Sequence, residues 1–472
     1  MDSIVNSRKA ALAAETTHTR SLCPVCLARI DAWHLNSGGD VWLLKRCPQH
    51  GDFKVPVWRG EPDWNSWRRP KLAHPPPSGG NDRNTKGCPF DCGLCSRHRQ
   101  RSCTVLIEVT GRCNLVCPVC FAASSPHGPA DPTLDELVHR FAIIARLSPG
   151  CNIQLSGGEP TLRDDLPEIV AAGKRAGFDF IQVNTNGIRP ARDRGCLHRL
   201  ASAGVDSFFL QFDGTRDDIY RKLRGRALLE TKLKTIAACG EAGIGVVLVV
   251  TVVPGVNDHD LGRILELAVE RVPTVRGVHL QPISYFGRYP AAPADEDRIT
   301  LPELMRAIDT QTRGAFPMTH FSPPGCENAM CSFSAKFLIG TDHAVRPLLP
   351  AWQRCCGAAE PAETGARRSI SQTARQWSAA PRDTQKPMRD GDRERVAPMP
   401  AGDREPMDLD CFIGQVRTRT LAVSAMAFQD AWSLDLERVR DCCIHVADDG
   451  GRLIPFCLYN LTGTSGQSLY RT

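Results

Sequence analysis

The sequence has no apolar run long enough to cross a membrane. Its longest, Val246 to Val253, fits a buried strand. The first residues, Met1 to Arg20, are mixed and polar and lack the apolar core of a signal peptide. A soluble, cytoplasmic protein with no membrane partner is therefore expected. Charge of one sign is also missing as a theme, with 58 Lys/Arg against 52 Asp/Glu and a formal net charge of +6. The excess sits in residues 1–103, which hold 16 basic and 9 acidic residues. That is too little for a nucleic-acid partner to be the first expectation. Aromatic residues are scarce, at 6% of the chain, so the group Trp33, Trp42, Trp58, Trp64 and Trp67 stands out. Basic charge interleaved with aromatics suits single-strand binding, and a zinc-ribbon nucleic-acid-binding protein is one alternative. The favoured reading is that these tryptophans pack a small N-terminal metal domain against the rest of the chain.

What the chain has in abundance is cysteine, 21 residues in all. They fall in clusters of metal-ligand type, which suits a reducing compartment better than a disulfide framework. The most informative cluster is Cys113-x3-Cys117-x2-Cys120. Three thiolates at this spacing can each hold one iron of a [4Fe–4S] cluster and leave the fourth iron open to chelate a ligand. Zinc sites more often show paired C-x2-C modules. The β-branched run Thr104–Val109 precedes the cysteines, so they lie on a loop after a strand. A helix follows, with Thr133 and Glu136 as its capping box and Leu134, Leu137, Val138, Phe141 and Ala145 at helical spacing.

Further strands are expected at Asn152–Leu155, Phe180–Asn184, Ser207–Gln211, Gly245–Val253 and Gly277–Gln281. Helical patterns alternate with them, for instance over Leu228–Cys239 and Leu261–Glu270. Such alternation predicts an α/β fold with a parallel sheet. From 351 to about 407 the chain has almost no aliphatic periodicity, and residues 351–410 hold 10 basic and 10 acidic residues. That segment reads as a disordered insertion. Order returns with the apolar stretches Leu421–Phe428 and Leu453–Leu458. The expected domains are thus a cysteine-rich region over 1–103, an α/β unit over 104–300, and a C-terminal auxiliary domain from 301–350 and 408–472 that brackets the insertion at 351–407.

The cysteine loop and the stretch Ser156-Gly-Gly-Glu-Pro160 together resemble the radical S-adenosylmethionine (SAM) enzymes, over roughly Val105 to Gln281. The resemblance implies a partial (β/α)6 barrel of TIM type, with ligands at the C-terminal ends of its strands. It also implies that Cys113, Cys117 and Cys120 hold the cluster and that its open iron binds SAM. Ser156, Gly157, Gly158 and Glu159 would lie near the methionine moiety, where glycines let backbone approach a ligand and a carboxylate complements an ammonium. By the same analogy Asn184 and Asn186, in Asn184-Thr-Asn-Gly187, approach the ribose, although Asn-Gly also favours an ordinary turn.

Other ligand sets can be read directly. Cys23-x2-Cys26 and Cys47-x2-His50 are spaced as the two knuckles of a zinc ribbon. Cys88-x3-Cys92-x2-Cys95, with Cys103 as a fourth thiolate and His98 as a weaker candidate, could close an auxiliary [4Fe–4S] cluster; structural zinc is the other option. A second auxiliary site could draw on Cys326, Cys331, Cys442 or Cys443, and Cys457. Buried free thiols would explain these residues equally well.

Three stretches narrow the resemblance: Cys47-Pro-Gln-His-Gly51, Cys88-Pro-Phe-Asp-Cys-Gly-Leu-Cys-Ser-Arg-His98 and Leu453-Ile-Pro-Phe-Cys-Leu-Tyr-Asn460. They look like the 7,8-dihydro-6-hydroxymethylpterin methyltransferases of methanopterin biosynthesis. That resemblance implies a C-methyltransferase acting on a reduced pterin, with SAM as radical source and an electron donor such as flavodoxin or ferredoxin. Radical modification of a peptide or RNA is the alternative within the same enzyme class.

Overall fold

The computed structural model describes residues 16–69, 71–75, 85–349, 360–380 and 409–471. The chain begins with a four-stranded antiparallel ribbon of β1 (Thr16–Leu22), β2 (Arg29–Ser37), β3 (Asp40–Cys47) and β4 (Gly51–Arg59). A two-residue strand, β5 (Lys71–Leu72), follows. Six parallel strands come next, in sheet order: β6 (Thr104–Thr110), β7 (Asn152–Gly157), β8 (Ile181–Thr185), β9 (Ser207–Gln211), β10 (Gly245–Val252) and β11 (Val275–Pro282). Each of the six overlaps the segment expected from the sequence, shifted by no more than two residues at either end. They are rich in β-branched residues and buried almost throughout, as strands of a covered parallel sheet are. The helix Leu134–Leu147 starts at the expected capping box: Thr133 Oγ1 accepts from Glu136 N at 3.3 Å, and Glu136 Oε2 accepts from Thr133 N at 2.7 Å. Its stripe of Leu137, Phe141 and Ile144 is fully buried on the sheet.

The C-terminal segments do not form a separate auxiliary domain. They continue the same sheet through β12 (Ser332–Ile339), β13 (Val345–Pro347), β15 (Thr420–Met426), β16 (Ile444–Ala447) and β17 (Leu453–Pro455). β15 pairs in parallel with β11 and β16 with β6, so each open edge of the six-stranded unit gains a strand. β12, β13 and β17 then add in antiparallel fashion. The physical reason is that bare sheet edges leave unpaired N–H and C=O groups, which these strands satisfy. Among the described residues no ladder joins β13 to β17, so the barrel is open.

The expected disordered insertion needs correction in part. After the two-residue β14 (Glu360–Pro361), which pairs with β5, residues Ala362–Trp377 form a helix. The helix lies across the N-terminal ends of the strands. Asn152 donates to Ile370 O at 3.3 Å, and Gln376 donates to Arg276 O at 2.9 Å and to Thr420 O at 2.8 Å. Its buried side consists of Ala362, Gly365, Ala366 and Gln376, small or polar residues that carry no aliphatic signature. Gly245 and Gly277 make room for it: a Cβ on Gly245 would meet Trp377 O at 2.2 Å. Residues 351–359 and 381–408, with Cys355 and Cys356, lie outside the described residues.

Three of the five tryptophans do what the favoured reading expected of them. Trp58, Trp64 and Trp67 are buried, Trp58 lies 5.6 Å and 6.0 Å from the other two, and Trp67 Nε1 donates to Ala329 O at 2.9 Å. They belong to one continuous core that runs on into the barrel helices. Trp33 and Trp42 remain on the ribbon's surface, with Lys54 over the Trp42 ring at 3.9 Å. No described helix is long and apolar enough to cross a membrane.

Candidate functional site

A cavity of about 440 Å³ runs through the barrel. At its C-terminal end it is lined by Cys113, Cys117 and Cys120, on the loop that leaves β6. Backbone bonds fix this loop: Cys113 N donates to Ser125 O at 2.9 Å, Cys120 and Arg288 exchange two bonds at 2.9 and 3.0 Å, and Arg288 Nε donates to Cys117 O at 2.8 Å. Cys117 is buried and the other two are half-buried. Burial pushes the thiols of Cys113 and Cys117 up, Cys113 to about 12. Ligation would therefore have to displace their protons.

Ser156, Gly157 and Gly158 line the same cavity beside the loop. The glycines are required by the loop itself rather than only by a ligand. A Cβ on Gly157, at φ +117°, would meet Thr110 O at 2.1 Å, and one on Gly158 would meet Arg112 O at 2.1 Å. Gly158 N and Glu159 N donate to those same two carbonyls at 2.8 Å. The turn after β7 is thereby bonded to the backbone that carries Cys113.

Glu159 is fully buried, and its oxygens are already taken. They accept from Thr161 N, Thr161 Oγ1, Thr185 Oγ1 and Asn186 N at 2.6–3.1 Å. Asn186 is likewise committed, donating to Asn114 Oδ1 at 2.7 Å and accepting from Ile188 N at 3.0 Å. Asn184 differs. Its amide donates to Ser156 Oγ at 3.1 Å, while Oδ1 is buried on the cavity wall with no partner. A buried acceptor left unpaired is costly, so of the two asparagines Asn184 has a free acceptor for a ligand donor and Asn186 braces the loop.

Sequence reasoning missed the charged groups beside the loop. Arg224 and Asp213 form a buried bidentate pair at 2.7 Å, and the Arg224 charge lies close enough to Cys117 to favour its thiolate. Lys232, also fully buried, donates to Asn186 O at 2.5 Å and to Gln211 Oε1 at 3.2 Å. Burial pulls its pKa down to about 8. A signal existed, because Lys232 shares the apolar stripe of its helix with Ile236 and Cys239.

Deeper in the barrel the cavity becomes aromatic and amide-lined. Phe209, His279 and Trp377 face one another at 5.3–6.2 Å, and His279 Nδ1 is 2.8 Å from Ser424 Oγ. Gln154, Gln211 and Gln281 add polar edges.

Among the described residues, two groups of three or more potential ligands have all their ligand atoms within 4.8 Å of one another. One is Cys23, Cys26, Cys47 and His50, as the ribbon spacing predicts; Cys26 and Cys47 sulfurs lie 3.9 Å apart and His50 Nδ1 is 3.4 Å from Cys47. Such spacing suits the edge of a tetrahedral zinc–sulfur site, about 3.8 Å for bonds of about 2.3 Å. The loop triplet is spread more widely, as ligands at separate corners of a cluster must be. Cys88, Cys92 and Cys95 share a small pocket with His98 and Arg440. His98 Nε2 is engaged with Cys442 O at 2.8 Å.

Two expected groupings are corrected. Cys103 does not complete the Cys88 triplet; it forms the second close group, with Cys326 and Cys443. Its position immediately before β6, where its N–H bonds Cys443 O at 2.7 Å, ties it to that end of the barrel. The proposed set of Cys326, Cys331, Cys442 or Cys443, and Cys457 also divides. Cys331, Cys442 and Cys457 lie near one another instead, with Arg438 donating to Cys331 Sγ at 3.2 Å and Gln429 N to Cys457 Sγ at 3.2 Å. Cys151, Cys196 and Cys239 are buried in the core.

The open α/β barrel with a three-cysteine loop and a glycine turn at its strand ends has known counterparts. The Radical SAM superfamily profile matches residues 107–268, and the HMPTM N-terminal zinc ribbon domain profile matches residues 16–59. The chain is a radical SAM enzyme. It is 32% identical to 7,8-dihydro-6-hydroxymethylpterin dimethyltransferase of Methanocaldococcus jannaschii, over 94% of this chain and 93% of that protein. It belongs to the family of that dimethyltransferase. A probable GTP 3′,8-cyclase of Methanothermobacter thermautotrophicus is 28% identical over 37% of this chain and 56% of that protein. Among solved structures, methylornithine synthase (PylB) overlaps 60% of this chain and 85% of its own at 12% identity, with a TM-score of 0.36.

Proposed function

We propose that this enzyme cleaves SAM reductively at a [4Fe–4S] cluster held by Cys113, Cys117 and Cys120, and that it methylates a reduced pterin on the way to a tetrahydromethanopterin-type cofactor. One observation carries the reading: the three cysteines, the Ser156–Gly158 turn and the unpaired Asn184 Oδ1 line one cavity. The donor set fits the group, with three thiols on one loop and an orphan acceptor beside them for an ammonium or hydroxyl. When bound, the cluster supplies the electron that splits SAM into methionine and a 5′-deoxyadenosyl radical.

The protein's part is to position and to exclude water. Gly157 and Gly158 bring the turn against the cysteine loop, and Glu159 with Asn186 braces it. Arg224 puts a positive charge beside Cys117, which offsets the charge of a ligated thiolate. The cavity volume lies within the usual range for small-molecule sites. Its aromatic group of Phe209, His279 and Trp377 suits the faces of a flat heterocycle, and its glutamine amides suit the edges. The full-length likeness to a pterin dimethyltransferase supports that choice of substrate. Cys23, Cys26, Cys47 and His50 would hold a structural zinc ion, and Cys88, Cys92 and Cys95 an auxiliary cluster. The reductant would be a flavodoxin or ferredoxin.

The test is anaerobic reconstitution followed by dithionite, SAM and a methylene-carrying reduced folate or pterin as the carbon donor, with and without 7,8-dihydro-6-hydroxymethylpterin. The expected result is 5′-deoxyadenosine whose formation the pterin stimulates, together with a pterin product heavier by methyl groups. The Cys117→Ala variant should form none. Deoxyadenosine that ignores the pterin would remove the substrate assignment. Retained cleavage in Cys117→Ala would remove the cluster assignment.

A further inference from the structure

We propose that Cys103, Cys326 and Cys443 bind a single thiophilic metal ion such as zinc at the N-terminal end of the barrel, on the same cavity as the Cys113–Cys120 loop. The three sulfurs lie within 4.8 Å of one another. The residues are 6%, 1% and 2% exposed, and all three line the cavity.

Their convergence is built by the fold. Cys103 directly precedes β6 and Cys443 directly precedes β16. The parallel pairing of Ile444 with Thr104 sets the two side by side, and Cys103 N donates to Cys443 O at 2.7 Å. Cys326 arrives from a third, distant segment. Its carbonyl accepts from Lys71 Nζ and from Gln100 Nε2, each at 2.7 Å. These two anchors, Gln100 buried and Lys71 half-buried, hold the loop in place and put the Lys71 charge beside the thiols. On the other side, Ala366 of the helix Ala362–Trp377 closes over Cys103, whose sulfur is 3.9 Å from Ala366 O.

A disulfide is the competing explanation, and Cys103 and Cys326 are joined as one here. It accounts for the arrangement poorly. Their Cα atoms are 7.3 Å apart, wider than the roughly 4.4–6.8 Å usual for disulfides. It also leaves Cys443, brought by a dedicated strand pairing, as a buried third sulfur without a role. A divalent metal uses all three as thiolates and offsets two of their three negative charges, with Lys71 nearby to balance the third.

Three protein ligands leave one coordination position. Closed structural zinc sites use four, whereas sites that bind a further ligand keep one open. Glu327, with Oε2 at 3.8 Å from Cys443 Sγ, is the neighbouring protein group. The remaining approach is from the cavity. The metal site stands on its own geometry; that its open position takes a substrate heteroatom rests on the function proposed above.

The experiment counts zinc, iron and sulfide in the anaerobically reconstituted full chain, in Cys443→Ala and Cys326→Ala, and in the Cys113/Cys117/Cys120→Ala triple variant. Cys443→Ala and Cys326→Ala should each lose about one zinc per chain relative to wild type. A loss of iron with sulfide in its place would overturn the single-ion site. The triple variant should keep that metal. Wild-type protein, denatured and alkylated without reductant, should give Cys103 and Cys326 as free thiols. Unchanged metal in both single variants, or a Cys103–Cys326 disulfide in the loaded protein, overturns the proposal. Deoxyadenosine formation reports separately on the loop cluster, so the two readings fail independently.

Discussion

Gly158 is where the glycine turn and the cysteine loop meet, and Gly158→Ala tests that contact directly. A Cβ at this position would lie 2.1 Å from Arg112 O, 2.6 Å from Arg112 C and 3.1 Å from Gly111 C. A carbon–oxygen contact relaxes near 3.3 Å, so the loop would have to retreat by about 1 Å. Every atom in the way is backbone, so no side chain can rotate to relieve the overlap. Overpacking of this kind costs about 1–3 kcal/mol, which a chain of this size tolerates without unfolding. The functional cost is larger, because Arg112 adjoins Cys113 and the retreat displaces the first thiol from its partners. A misplacement of about 1 Å costs about 100-fold in a positioned reaction. Gly158→Ala should therefore remain folded by circular dichroism while its deoxyadenosine rate falls about 100-fold, with iron per chain reduced. Gly195→Ala is the control: it sits in a helix and its Cβ meets only side-chain atoms of Asp193 and Arg199, at 3.3 and 3.6 Å. If Gly158→Ala kept full iron and a rate within about twofold of wild type, the contact between turn and loop would not set the position of the cysteines.

Cys47→Ser should lower bound zinc by about one per chain and leave iron unchanged; unaltered zinc would refute the ribbon site. Arg224→Met leaves the Asp213 carboxylate buried without its partner, which should cost about 3–5 kcal/mol in chemical denaturation, and a cost under about 1 kcal/mol would contradict the pairing. Burial works against ionised Asp430, but Arg298 at 3.0 Å and the N–H groups of Tyr285, Trp432 and Ser433 outweigh it and hold its carboxyl below the ordinary value of 3.8. Its stabilisation is therefore present above pH 3.8 and is lost as pH falls through the lower folded value, so Asp430→Asn should be less stable at neutral pH with a shallower loss in acid; an unchanged acid limb would count against this. Trp377→Ala should raise the pterin KM about 10-fold, within the range of one aromatic stack, while uncoupled deoxyadenosine persists; an unchanged KM would move the substrate away from that end of the cavity.

The chemistry of this chain was legible because it is local. Cys113, Cys117 and Cys120 lie within eight residues, and the strand before them and the capping box after them are patterns of a few residues each. The zinc ribbon was legible for the same reason, since each of its knuckles is a C-x2-C or C-x2-H step. The distant thiols were not. Whether Cys103 joins Cys88 or Cys326 depends on β16 pairing with β6, and nothing near Cys103 in sequence reports that pairing. Cys442 and Cys443 show the limit most clearly. Adjacent residues entering a strand point to opposite sides, so one thiol turns toward Cys331 and Cys457 and the other toward the cavity. Spacing alone cannot say which.

The helix Ala362–Trp377 was hidden by the surface it covers. It packs against backbone at strand ends, where Gly245 and Gly277 leave little room, so its buried positions hold alanine, glycine and glutamine rather than leucine or isoleucine. Hydrophobic periodicity is a signal of packing against side chains, and a helix that packs against main chain through hydrogen bonds does not produce it. The same helix carries Trp377 into the aromatic end of the cavity and Ala366 onto Cys103. In the proposed function, the residues that would start radical chemistry thus come from contiguous motifs at one end of the barrel. The residues that would enclose a substrate come from pieces far apart in the chain, among them the segment with the least recognisable pattern.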